Sequence, residues 1–284
     1  MAGFNSFGSL GQAARNGQIH TCHFRKVPSQ ATSATSMFFD MSMAPGDPQP
    51  NYYASSPLEA AKLQANRGLF HGADKAPASK FLLEAAILGN AGGCVGEYKL
   101  LDYLLYYPFV DLDSIDEQTL VNDLSIDRYT SGEGVRAMFV AASPTVGGGS
   151  FSYTYINQDG IQRTSPIISY STGAVNIASM LTTQAGAASG GQLFLPLANG
   201  DTGIRSIVSL QNIAAHGGLG SLVLVKELAE LSIFEASVPS EVNFLTEHPA
   251  PPRIYDGAYL GFVGLPTSTI AGALYTGRLT FVWS

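Results

Sequence analysis

The chain runs to 284 residues, with 45% hydrophobic side chains, only 13% charged ones and a formal net charge of −7. A chain of this length hides roughly three-quarters of its unfolded surface and needs no covalent staples. Its 15 basic against 22 acidic residues, with no basic run, exclude a phosphate-neutralising face for direct DNA or RNA binding. Ordinary globular proteins carry about 25% charged residues. Here Gly, Ser, Thr, Ala and Asn take their place, the composition of a surface that partners cover. Cys22 and Cys94, far apart, make no disulfide framework and fit a reducing compartment.

The first residues lack a basic region followed by an apolar core, so no signal peptide is expected. Residues 1–56 are polar and punctuated by Gly3, Gly8, Gly11 and Gly17, a Ser/Thr/Ala tract from Ser29 to Ser36, and Pro45, Pro48 and Pro50. Each proline fixes φ and pushes its predecessor to extended geometry. Phe24, Phe38, Phe39, Tyr52 and Tyr53 would be expensive to leave wet. The segment therefore reads as an extended arm whose aromatics are interface anchors, docking on the chain's own body or on a neighbour.

A body over 57–284 follows. Ser56, Pro57 and Glu59 form a capping box that predicts a helix near 57–67, stopped by Gly68. The longest apolar stretch, Phe81 to Val95, is interrupted by Glu84, Asn90 and three glycines, too short to span a bilayer. From Glu97 to Tyr107 the apolar spacing serves either helix or strand. Ser114 and Glu117 repeat the capping box and predict a second short helix near 114–123.

From Gly134 onward the pattern alternates. Val135 to Ala141 reads as a strand, and Phe151, Tyr153 and Tyr155 make another that turns at Asn157-Gln158-Asp159-Gly160 and returns through Ile161 to Ser165. Further strands are predicted at 192–197, 204–210, 221–225, 259–265 and 274–283, between Gly- and Pro-rich turns. The fold class is mainly β with a few short helices: a β-sandwich or jelly-roll-like body with an extended N-terminal arm.

No set of residues specifies catalysis, a cofactor or a metal. His20, Cys22 and His23 are good ligand types, but the spacing of a four-ligand zinc site is missing, and only His71 and Cys94 remain to complete it. Asp111 to Glu117 begins like a calcium loop and fails at Ile115, where a third oxygen should sit. Cys94, flanked by Gly92, Gly93 and Gly96, reads as a small buried hydrophobe rather than a nucleophile. Gly132-Glu133-Gly134 and Gly147 to Gly149 lack the Lys-Ser/Thr ending of a P-loop. His216 and His248 are turn histidines without a visible partner. Tyr98, Tyr103, Tyr106, Tyr107 and Phe109 suit a carbohydrate cleft or, more cheaply, a core or subunit interface. The expectation is a non-enzyme.

Several segments resemble a family of uncharacterised structural proteins of tailed bacteriophages and prophages. They are Phe24-Arg25-Lys26-Val27-Pro28, Met41 through Tyr53, Asp102 through Val110, Asp127 through Val135, and Tyr153 through Gly160. The resemblance implies a virion role, assembled in the host cytoplasm, with other virion subunits such as the major capsid protein as partners. The expected function is a capsid decoration or cement protein. A tail, neck or baseplate component is the alternative, and a glycan-binding receptor module is the third. An arm of about 40 ordered residues and a body face would bury on the order of 2,000 Å² or more, the scale of permanent interfaces. A closed homo-oligomer, a trimer, is expected.

Overall fold

The computed structural model describes residues 4, 6–28, 37–171, 175–182, 192–247, 250–270 and 272–284. In chain order its regular elements begin with α1 (Phe7–Arg15), β1 (Ile19–Lys26), β2 (Phe39–Asp40), β3 (Gly46–Asp47), β4 (Lys80–Gly89) and β5 (Gly96–Asp111). They continue with β6 (Gln118–Thr119), β7 (Val135–Ala141), β8 (Ser150–Asn157), β9 (Gln162–Thr164), β10 (Ile168–Ser169) and β11 (Ile204–Asn212). The last are β12 (Leu219–Ile233), β13 (Ser240–Asn243), β14 (Arg253–Ile254), β15 (Leu260–Pro266) and β16 (Tyr275–Trp283). The protein is mainly β, in several antiparallel sheets, as the alternating pattern predicts.

The central sheet has the order β2-β15-β5-β12-β7. Its long strands β5 and β12 pair from Asp111↔Leu219 to Gly96↔Ile233, with register shifts around Phe109, Leu104 and Leu228. Those bulges explain how one sheet serves three cores. A bulge adds one residue and reverses side-chain parity along the strand. Tyr98 and Leu100 before the bulge, and Leu105 and Tyr107 after it, therefore share one face, while Leu101, Tyr103 and Tyr106 share the other.

On the first face, the half carrying Tyr98, Leu100, Leu231 and Phe262 packs against a second sheet, β13-β4-β16-β1-β3, through Phe24, Leu82, Ile87, Leu279 and Phe281. The half carrying Tyr107, Phe139, Leu222 and Leu224 packs against the third sheet, β10-β8-β11-β6, through Phe151, Tyr153, Tyr155 and Ile207. The opposite face, with Leu101, Tyr103, Met138 and Val225, is covered by irregular chain carrying Phe38, Met43, Tyr53, Met180 and Leu193. This is sandwich layering in which two sheets share one face of the central sheet.

Two expected helices do not form. Pro57 and Leu58 make a turn, with Leu58 at φ 62, the bridges Glu59↔Val121 and Ala61↔Tyr106 follow, and only Ala65–Arg67 makes a 3-10 turn. The Ser56 capping box is overridden because the Ala60 and Ala61 N–H groups donate instead to the carbonyls of Val121 and Tyr106, each at 2.9 Å. At 114–123 the chain supplies the short strand β6, since Gln118 and Thr119 pair with Leu210 and Ser209. Residues 192–197, expected as a strand, are irregular, although Leu195 N–H still bonds Ala137 O at 2.8 Å. One helix escaped the sequence reading: Ser6 and Ser9 cap α1 reciprocally.

The expected arm, 1–56, is not a separate unit in its described residues. β1 lies inside the second sheet between β16 and β3, and β2 adds an edge to the central sheet. The hairpin at Asn157 to Gly160 forms as expected: Asn157 Oδ1 accepts the N–H groups of Asp159 and Ile161, and Gly160 takes φ 78.

Candidate functional site

The five aromatic residues expected to anchor a neighbour divide unevenly. Phe24 packs 5.3 Å from Phe262, Phe39 lies 6.1 Å from Tyr275, and Tyr53 lies 5.3 Å from Tyr106. Phe38 is buried in the core layer with Met180 and Val263. These four hold the chain to its own sheets and so cannot anchor a second subunit. Tyr52 alone stays outside, 53% exposed.

Among the described residues, the buried acidic and basic side chains Lys26, Asp40, Lys80, Asp102 and Arg128 fall into three networks. Asp40, fully buried, accepts hydrogen bonds from Tyr53 Oη, from Tyr103 Oη at 2.8 Å and from Ser42 N–H at 2.8 Å. Burial raises its pKa, opposed by those three donors. Nearby, Lys26 donates to the carbonyls of Ala44 (3.1 Å) and Pro48 (2.7 Å), and burial lowers its pKa to about 8. Arg128 clamps Asp102 with two hydrogen bonds, 2.8 and 3.0 Å, and also reaches Tyr103 O and Asp127. Such forked geometry satisfies both ions in a dry setting.

The third network surrounds Lys80. Its Nζ donates to His71 Nδ1 at 2.9 Å, which leaves the proton of the neutral imidazole on Nε2 to meet Ala258 O at 3.0 Å. Asp256 lies 3.8 Å from the ammonium and also accepts from the Lys75 and Ala76 N–H groups. Burial, above all, lowers both the Lys80 and the His71 pKa. A cleft of about 380 Å³ opens beside this network, lined by Pro77, Lys80, Arg128, Arg253 and Asp256 among others. Its carboxylates are already committed: Asp256 as above, and Asp127 to Lys62 at 2.8 Å and to Arg128.

The candidate ligand sets do not assemble. In β1, Cys22 points inward while His20 and His23 are exposed, and the Cys22 thiol is pushed up to about 11 by burial. A neutral thiol is neither nucleophile nor good metal ligand. Cys94 is fully buried. In the acidic loop, Gln118 clamps the backbone of Asp111 at 2.7 and 2.8 Å, and Glu117 turns away to accept from Ser209 Oγ at 2.6 Å. Tyr98, Tyr103, Tyr106 and Tyr107 are all buried in the central sheet, so they line no open cleft. His248 lies outside the described residues. His216 is buried and stacked on Tyr170, 4.6 Å between centroids, with neither ring nitrogen hydrogen-bonded among the described residues; burial lowers its pKa.

What remains is surface. Phe234 (87% exposed), Phe7 (73%), Val146 (68%), Ile167 (67%) and Phe70 (63%) stand out of a coat with little charge. A groove of about 470 Å³ crosses the outer face of the second sheet, lined by His23, Ala86, Leu88, Pro239, Thr276, Gly277 and Arg278 among others. Gly277 is required here: a Cβ would lie 2.2 Å from Ala86 O and 2.4 Å from the Phe24 ring. No helix among the described residues is long and apolar enough to cross a membrane.

The sequence reading missed all three polar networks. Two had a signal, a charged residue inside an apolar run: Asp40 after Met37-Phe38-Phe39, and Asp102 between Leu100-Leu101 and Tyr103-Leu104. Arg128 had none, because its partner is remote in sequence.

No protein-family model and no curated protein matches the chain. Among solved structures it is similar to infectious bursal disease virus Gt strain, at 9% identity over 93% of this chain and 80% of that one, with a TM-score of 0.19. It is likewise similar to the VP2 subviral particle of infectious bursal disease virus, at 10% identity over 94% and 80%, with a TM-score of 0.19. A likeness at that TM-score fixes neither fold nor role.

Proposed function

We propose that the chain is a structural protein of a tailed-bacteriophage virion, placed on the head as a decoration or cement subunit. The observation that carries this reading is the exterior: large apolar side chains such as Phe234, Phe7 and Phe70 protrude from a chain with only 13% charged residues. Covering apolar surface contributes about 25 cal/mol per Å², so a subunit that settles on a lattice through such a face is held by area rather than by a single site. The buried ionisable groups support the same reading, since Asp40, Lys80, Asp102 and Arg128 are spent on holding the chain together. The resemblance of its segments to phage structural proteins supplies the particle. Head and not tail is the finer part of the proposal.

The test is addition of purified chain to heads and, separately, to tails made without it, followed by gradient sedimentation. Saturable co-sedimentation with heads is expected. Saturation on tails alone would move the protein to the tail or neck, and recovery at the top of every gradient would end the virion reading.

A further inference from the structure

The start of β1, the end of β16 and the loop that leads into β4 meet at one end of the second sheet. His20 stands on the same row of β1 as Cys22 and Phe24, but past the edge of the core those two enter, and it is exposed. Trp283, the chain's single tryptophan, follows the Ile19↔Val282 pair and lies opposite Lys80. The loop contributes Phe70, 63% exposed, and Lys75. These four residues, with Gly72 and Ala73, line one pocket of about 190 Å³. His20 and Phe70 meet edge to face, 5.8 Å between centroids, and Lys75 Nζ sits 4.0 Å from the centroid of the Trp283 ring. The loop is fixed around the pocket. Leu69 N–H bonds Leu260 O at 2.8 Å, the Lys75 and Ala76 N–H groups bond the Asp256 carboxylate, and Ser79 N–H bonds Ser284 O at 3.0 Å. A site held in this way is organised before any ligand arrives.

The polar groups of this pocket are unspent. Lys75 Nζ makes no ion pair among the described residues, and neither Asp74 nor Asp256 lines the pocket. The indole face positions the ammonium but leaves its charge uncompensated. Among the described residues the His20 ring makes no hydrogen bond and touches Phe70 alone of the aromatic rings. One wall therefore offers a cation, another an imidazole, and between them stands an exposed aromatic ring.

We propose that this pocket binds the ring of an acidic sugar, a hexuronic acid unit, with its C–H face against Phe70, its carboxylate on Lys75 Nζ and a hydroxyl on the His20 imidazole. The pocket is smaller than the roughly 300–1,000 Å³ of sites for drug-sized ligands, which suits a single ring. The C–H face of a sugar is apolar and gains contact area on an aromatic ring. The carboxylate and the ammonium form a charge-assisted hydrogen bond, stronger than one between neutral groups. A neutral sugar leaves the ammonium without a counter-charge, and an aromatic carboxylate leaves the imidazole without a hydroxyl. The site does not depend on the virion role, since it needs only this chain.

Because the single tryptophan lines the pocket, its emission reports on this site alone. Titration of the full chain with glucuronate, glucose and benzoate tests the proposal, read by tryptophan emission and by saturation transfer to the ligand protons. Lys75→Met and Phe70→Ser are titrated beside the parent; neither residue is buried, and unchanged thermal unfolding would show that each variant folds. The expected result is saturable binding of glucuronate, at least about ten-fold tighter than of glucose or benzoate. Lys75→Met should bring glucuronate down to the level of glucose, and Phe70→Ser should weaken both sugars. No saturable signal from glucuronate up to ~10 mM in either measurement would overturn the proposal. So would glucose or benzoate binding the parent chain as tightly as glucuronate, a comparison that needs no variant, or glucuronate binding that Lys75→Met leaves intact.

Discussion

His216 is a histidine kept neutral by its surroundings: buried, stacked on Tyr170 and, among the described residues, without a partner for either ring nitrogen. Its folded-state pKa lies below the ordinary imidazole value of about 6.5. As pH falls past that value the unfolded chain takes up the proton first, so the stability contributed above it is lost toward the lower, folded pKa. His71 has the same sign. Thermal unfolding from pH 8 to pH 5 should show a falling acid limb, and His216→Phe should flatten it. A variant that follows the parent curve would remove His216 from the account. Asp102 makes a second residue-scale test. Arg128→Ala strands a buried carboxylate and should cost ~3–5 kcal/mol in denaturant unfolding. The Asp102→Leu/Arg128→Met double variant should recover most of it, because removing both charges removes the penalty. At Asp40, Tyr103→Phe deletes one of three donors and should cost ~1–3 kcal/mol.

At the scale of elements, the N-terminal 56 residues decide most. Removing them takes β1 and β3 from one sheet and β2 from another, and strips Phe24, Phe38, Phe39, Met41 and Tyr53 from two cores. Deletion of residues 1–56 should therefore leave no cooperative unfolding transition; a folded body would contradict the structure. Sequence alone made this segment look separable because Gly, Pro and Ser punctuate it, and its strands β1 and β2 pair with β16 and β15, more than 200 residues away. Strands with local evidence were legible: Phe151 to Tyr155 alternates and ends in a turn of known chemistry. Capping boxes at Ser56 and Ser114 misled because backbone pairing to distant strands outweighed a local cap. Glu97 to Tyr107 was ambiguous for a concrete reason: the bulge at Leu104 breaks the period of two partway through β5.

For the molecule as a whole, three cores and the networks around its buried charges leave an exterior that is weakly charged and studded with apolar side chains. The sequence signalled this property through composition but placed the anchors on the wrong aromatics, since Phe24, Phe38, Phe39 and Tyr53 face inward. Phe234, in a loop with no aromatic pattern around it, carried no signal of its exposure. On the proposed decoration role, the subunit would repeat by symmetry in many copies of one particle. Quantitative mass spectrometry of purified particles, scaled to the main shell protein, measures this most directly. Copies in the hundreds, as a decoration lattice demands, are the predicted result. Absence from the particle would contradict the account.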